Sequence, residues 1–123
     1  MAAHNDLGHW GETLAAKYLQ GQGYCIVYRD WRYGHRDLDI VAMDKESNEL
    51  VIVEVKTRRD EKFCDADTAV TPQKIRSRSI AANAFVKSKM IDADIRFDII
   101  TIVGTDESSA EIRHVKDAFL PFV

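Results

Sequence analysis

The apolar residues of this chain change their period along its length, and each change predicts an element. Trp10, Leu14 and Tyr18 recur at helical spacing, and Ala15, Ala16 and Leu19 widen that stripe into a helix reaching about Gln20. Asn5 or Asp6 is expected to cap the helix, and Gly21 and Gly23 to end it. Residues 24–31, rich in β-branched and aromatic types, predict a first strand. Residues 36–43 and 49–57 predict a second and a third, and the polar turn between them, Asp44 to Asn48, makes them an antiparallel hairpin. Residues 58–70 are a charged loop. Thr71 then caps a helix with Pro72 at its first position, running to about Met90 with Ile75, Ser79, Ala82 and Val86 inward. Residues 96–103 predict a fourth strand and 110–115 a weaker fifth. This order predicts an α/β fold, a mixed central sheet of about five strands flanked by helices.

Several charged residues fall where such a sheet should be apolar. Residues two apart in a strand share a face. Leu50, Ile52, Glu54 and Lys56 therefore fall on one face of the third strand, and Val51, Val53 and Val55 on the other. Both faces begin apolar, so the strand is expected to be buried on both sides. Burying Glu54 or Lys56 alone is costly, so each needs a partner or an ion. In the second strand Asp37 and Asp39 are expected on one face, with Leu38 and Ile40 on the other. The hairpin then brings Asp39 near Glu54, with Lys56 one step further along. Glu12 falls among the apolar stripe of the first helix and is expected to be half-buried and aimed at the sheet. Neighbouring carboxylates repel unless a cation or proton sits between them. A site of two or three carboxylates suits Mg²⁺ or Mn²⁺ better than zinc. A buried ion-pair network of Glu54 with Lys56, plus a hairpin aspartate, fits the same spacing equally well.

Composition narrows the class without naming an activity. The 123 residues suit one domain, 1–123, and 30% charged residues beside 46% hydrophobic ones is ordinary globular composition. No apolar run approaches the ~20 residues of a membrane span. The N-terminus lacks a basic-then-apolar signal, and Cys25 and Cys64 stand apart, so a cytoplasmic protein with reduced thiols is expected. The net charge of −3 hides an uneven distribution. Bases outnumber acids between Lys56 and Lys89, and that sector could attract phosphate. Arg58, Arg59 and Lys62 follow the third strand directly and are candidates to contact phosphate. Lys74 and Arg78, one turn apart, fit either a phosphate contact or a solvated helix surface. The histidines show no ligand spacing. Trp10 and Trp31 are expected as core anchors, and Arg96 with Asp98 as a structural pair. The apolar C-terminal residues are expected to pack on the sheet or to form a dimer contact.

Asp39 followed one hairpin later by Glu54-Val55-Lys56 resembles the PD-(D/E)XK nuclease superfamily. The wider sequence is similar to the YraN-like family of uncharacterised bacterial proteins, itself similar to archaeal Holliday-junction resolvases. The resemblance lies in Gly11-Glu12, Ala15-Ala16, Gly23-Tyr24, residues 37–42 and 51–58, Ala69-Val70-Thr71 with Lys74, Arg96-Phe97-Asp98, and Ala118-Phe119. It implies a restriction-endonuclease-like fold and Mg²⁺-dependent cleavage of branched or structured DNA. It further implies Asp39, Glu54, the Val55 carbonyl and Glu12 as metal ligands, with Lys56 as the catalytic lysine. Resolvase-like relatives commonly act as two-fold dimers, so the resemblance leaves a homodimer open, which the residues themselves do not show. The family usually has Gly-Glu where this chain has Arg36-Asp37, and Asn where it has Asp30. A catalytically inactive nucleic-acid-binding module and an interaction protein with structural acids are the alternatives.

Overall fold

The computed structural model describes residues 3–60 and 71–120, with side chains from Asp6 onward. Its elements are α1 (Ala3–Gly21), β1 (Tyr24–Tyr33), β2 (Arg36–Asp44), β3 (Glu49–Arg58), α2 (Pro72–Lys89), β4 (Ile95–Val103) and β5 (Glu111–Phe119). Each sequence-predicted element is present, and the differences lie at the ends. Because α1 starts at Ala3, Asn5 and Asp6 lie inside its first turns instead of capping it. Asp6 there opposes the positive end of the helix dipole. Thr71 does cap α2, its hydroxyl accepting the Lys74 N–H at 3.2 Å, and the helix ends on a left-handed Met90.

The sheet order is β1-β2-β3-β4-β5. Only β3 and β4 run parallel, as the α2 crossover between them requires, so the sheet is mixed. β3 is central and covered on both faces, as its sequence predicts. On one face Leu14, Ala15 and Leu19 of α1 pack on Ile40, Ala42, Val51, Val53, Ile100 and Ile102, with Trp10 at the margin. On the other face Ala81, Ala82 and Phe85 of α2 pack on Leu38, Val41, Leu50, Ile52 and Phe97. The inward stripe of α2 is turned slightly from the expected one. Phe85 and Ala81 are buried with Ser79 and Ala82, while Ile75 and Val86 are only partly so. The larger Phe85 ring takes the central place because it removes more apolar area from water. Trp31 meets it edge-on at 5.2 Å.

β5 extends to Phe119, beyond its expected end, because Phe119 stacks on Phe97 with centroids 4.8 Å apart. Leu120 just beyond is exposed. Arg96 and Asp98 form the expected pair, inside a larger buried network. Arg96 donates to both oxygens of Asp98, to Asp44, to Glu49 and to the Tyr24 hydroxyl. Asp98, fully buried, also accepts the Asp117 N–H and lies 2.7 Å from His114 Nε2. Burial raises its carboxyl, but His114, Arg96 and the Asp117 N–H outweigh burial and hold it below the ordinary range.

α1 is seated on β3 at one point without slack. A Cβ on Gly11 would overlap the Thr57 side chain, with Thr57 Cγ2 at 2.9 Å. Alanine for glycine inside a helix ordinarily stabilises by about 1 kcal/mol, but overpacking costs about 1–3 kcal/mol. Gly11→Ala is therefore expected to lower the urea midpoint, and adding Thr57→Ala to recover most of the loss. A Gly11→Ala protein as stable as its parent would show that the helix does not sit there.

Candidate metal centre

β2 and β3 are paired only from Asp44–Glu49 to Ile40–Val53. Beyond that point β3 continues along β4 to Arg58, while β2 continues along β1 to Arg36. The two strands therefore part at Asp39. The side-chain alternation of β2 also breaks there. Leu38 joins the α2-side core and Ile40 the α1-side core, whereas a regular strand would place both on one face. This corrects the expectation that Leu38 and Ile40 share a face. The extra half-step turns Asp39 toward β3, where its Oδ2 accepts the Val55 N–H at 2.9 Å. A backbone donor that has lost its neighbouring strand needs another acceptor, and the Asp39 carboxylate supplies it.

Two more carboxylates converge on Asp39. One oxygen from each of Glu12, Asp30 and Asp39 lies within 4.8 Å of the other two. Glu12 comes from α1, one residue after the Gly11 contact that fixes that helix on β3. Asp30 comes from β1, between the Arg29–Ile40 and Trp31–Leu38 pairs, and so lies across from Asp39. Its backbone is left-handed, φ 53°, a conformation Asp tolerates better than most residues. In the sequence Asp30 stands out only as a departure from the family's Asn. The signal that could have found it is the turn at Gly34-His35: it pairs Tyr33 with Arg36, and the same register sets Asp30 against Asp39.

The electrostatics of the three acids are unbalanced. Glu12 Oε1 is enclosed and has no hydrogen-bond partner among the described residues. Burial, a hydrogen bond with Asp30 and the charges of Asp39 and Asp30 push the Glu12 carboxyl up to about 8, against a small opposing effect of Arg29. Burial is also the main cause of the rise of Asp39 to about 6, with Glu54 and Asp37 adding to it. The Val55 N–H and Arg78 pull the other way. Such a group holds protons or a cation. Its donors are all oxygen, and it carries an orphaned acceptor, which fits Mg²⁺ or Mn²⁺ and not the nitrogen and sulfur preference of zinc.

Glu54 is arranged differently. Lys56 Nζ lies 3.0 Å from its Oε2, and Arg78 Nε donates to its Oε1 at 3.2 Å. Arg78 also reaches Asp37, with Nη1 3.9 Å from Oδ1. Burial raises Glu54, but the Lys56 hydrogen bond and the charges of Arg78, Lys56 and Lys74 outweigh it and lower its carboxyl. Glu54 is thus not part of the close trio. The structure brings Glu12 and Asp39 together as the sequence suggests, adds Asp30, and leaves Glu54 paired to two cations. The ion pair that the structural alternative requires, Glu54 with Lys56, is present.

Lys56 is only 9% exposed yet lines the same cleft as the three acids, a concavity of about 610 Å³ also bordered by Val55, Arg32 and Arg58. Arg59 is exposed just beyond it. Lys74 and Arg78 lie on α2 and do not line this cleft, although Arg78 borders a smaller void together with Asp39 and Glu54. Lys62 and Cys64 fall outside the described residues, and among those described no helix is long and apolar enough to cross a membrane.

The raised acids set a pH dependence. The folded protein binds more protons than the unfolded chain between the ordinary 4.5 of a glutamate and about 8 for Glu12. Stability gained from protonation is therefore lost as pH rises through that window. The melting temperature without added metal is expected to fall between about pH 6 and pH 9, and Glu12→Gln to flatten the fall. Differential scanning fluorimetry checks this. A melting temperature that rises over the same range would contradict the crowded, unbalanced site.

Residues 11–102 match the sequence profile of the Uncharacterised protein family UPF0102. A UPF0102 protein of Bacteroides fragilis is 50% identical over 121 residues, 98% of each chain. A UPF0102 protein of Bacteroides thetaiotaomicron is 49% identical over 121 residues, again 98% of each. One from Flavobacterium psychrophilum is 42% identical over 122 residues, covering 99% of this chain and 100% of the relative. The chain therefore belongs to the uncharacterised protein family UPF0102, the YraN-like family that its sequence resembles.

Proposed function

We propose that this protein is a Mg²⁺- or Mn²⁺-dependent endonuclease that hydrolyses phosphodiesters of branched or otherwise structured DNA. The observation that carries the reading is the parting of β2 and β3, where Glu12, Asp30 and Asp39 converge beside Lys56 with one buried carboxylate oxygen unsatisfied among the described residues. The PD-(D/E)XK resemblance supports the same reading through Asp39 and Glu54-Val55-Lys56.

Glu12 and Asp39 would hold the cation, with Asp30 beside them, and with Glu54 and the Val55 carbonyl as the superfamily pattern assigns. A hard divalent ion there supplies Lewis-acid stabilisation of a phosphoryl oxygen and lowers the pKa of water. The protein's own groups orient the reaction. The Val55 N–H fixes the Asp39 carboxylate through Oδ2. Glu54 holds Lys56 at 3.0 Å, so the ammonium stands at the cleft without having to be ordered during reaction. From there Lys56 donates to the phosphate and opposes the negative charge that grows on its oxygens. Arg58 lines the cleft, and Arg59 and Lys62 follow it in the chain, to contact the flanking phosphates. Lys74 and Arg78 extend that contact along α2.

A second reading, a nucleic-acid-binding module without turnover, is favoured by one observation: both oxygens of Glu54 already have cationic partners. Cleavage assays on junction, flap and linear DNA separate the two. Metal-dependent cutting is expected, fastest on branched substrates and reduced about a hundredfold or more by Lys56→Ala or Asp39→Asn. Full activity in both variants would contradict the site. Salt-sensitive binding without cleavage under either ion would favour the module.

A further inference from the structure

A second concavity, of about 390 Å³, lies between the β1–β2 hairpin and the first turns of α2. His35 and Arg36 line it from the hairpin, and Lys74, Arg76 and Arg78 line it from the helix. No carboxylate borders it among the described residues. The Nε of Arg36 is enclosed and has no hydrogen-bond partner among the described residues, which is costly unless a ligand accepts from it. α2 has no acidic residue in its first turn, so the positive end of its dipole adds to these charges instead of being offset. Cations converging on one hollow repel one another unless an anion lies between them. Arg78 joins this hollow to the metal centre, since it also pairs with Glu54 and reaches Asp37.

An aromatic pair stands on the hairpin next to Arg36. Tyr33 is the ladder partner of Arg36, and residues directly opposite each other project to the same face. Tyr33 is 49% exposed and stacks on Trp31, with centroids 6.2 Å apart and rings 1° from parallel. Trp31 is itself braced edge-on by the buried Phe85. Tyr33 is therefore a flat ring held firmly from the core side while half of it meets water. Beside a row of cations, such a ring suits a ligand that carries phosphates and an open base face. A base inside a duplex has both faces covered by its neighbours, so only an unpaired base can stack there.

We propose that this cleft holds the phosphodiester chain of an unpaired nucleic-acid strand, with Arg36, Lys74 and Arg76 on its phosphates and Tyr33 against one of its bases. The inference rests on the nuclease reading and narrows its substrate to DNA with a single strand leaving a duplex. Arg78 would then couple strand capture to the ion pairs around Glu54.

Fluorescence anisotropy of the full chain without added metal tests the inference, with labelled oligo-dT, oligo-U and a blunt DNA duplex as probes. Oligo-dT is expected to bind more tightly than the duplex. Arg36→Gln combined with Lys74→Gln is expected to weaken oligo-dT binding about tenfold and to flatten its salt dependence. Tyr33→Ala is expected to weaken oligo-dT binding about fivefold or more and leave duplex binding unchanged, with Tyr33→Phe restoring it. Lys87→Gln, near the other end of α2, is expected to change nothing. Variants that melt like the parent and still bind oligo-dT as it does would overturn the proposal. So would Tyr33→Ala losing single-strand and duplex binding equally. Tighter binding of oligo-U than of oligo-dT would keep the cleft and make its strand RNA. The experiment reads no cleavage, so its outcome is independent of whether Lys56→Ala abolishes turnover.

Discussion

The site depends on one hydrogen bond, from the Val55 N–H to the Asp39 carboxylate. β3 is paired on its β4 side along its length, but β2 leaves it after Ile40. A central strand that loses a neighbour exposes donors that burial would otherwise penalise. Asp39 fills that need with a side chain, and the substitution of side chain for strand opens the cleft. Lys56 and Thr57 border the opening because they lie on the stretch of β3 that β2 has left. Glu12 reaches it because Gly11 lets α1 rest against Thr57. Asp30 reaches it because β1 keeps its register with β2 past the break.

Two groups of buried charge in this sheet show the difference between structure and chemistry. Around Arg96 each carboxylate meets donors: Asp98 accepts from Arg96 and the Asp117 N–H, and Asp44 and Glu49 each accept from the same guanidinium. Networks satisfied in this way fix a fold's geometry, and they hold their acids ionised. Asp44 and Asp98 both lie below their ordinary range. Around Asp39 the balance is reversed, with three acids close together, one oxygen of Glu12 without a partner among the described residues, and Glu12 and Asp39 raised. Burial acts on both groups, so the supply of donors decides the sign. The acid-rich group is the one prepared to take a cation.

Much of this was legible in the sequence. The apolar run of β3 and the polar turn before it locate the central hairpin, and Glu54 and Lys56 are conspicuous there because charge is costly in a covered strand. The helical wheel of α1 points Glu12 at the sheet. The break in β2 was not legible: strict alternation puts Leu38 and Ile40 on one face, and only pairing with two diverging neighbours separates them. Asp30 was missed because its role depends on register across a hairpin rather than on its own strand. The pairing of Glu54 with Arg78 depends on how α2 lies against the sheet, which spacing along the chain does not fix. The hollow at Arg36 joins residues far apart in the chain, so the charge count shows a basic sector but not its concave shape.

The most direct test of the central claim is the position of a bound ion. A crystal grown with Mn²⁺ and measured at the manganese absorption edge locates the metal without relying on activity. An anomalous peak is expected where β2 and β3 part, about 2 Å from oxygens of Asp39 and Glu12, with the Val55 N–H still bonded to Asp39. A cleft without a peak, with Glu12 and Asp30 still against each other, would contradict it.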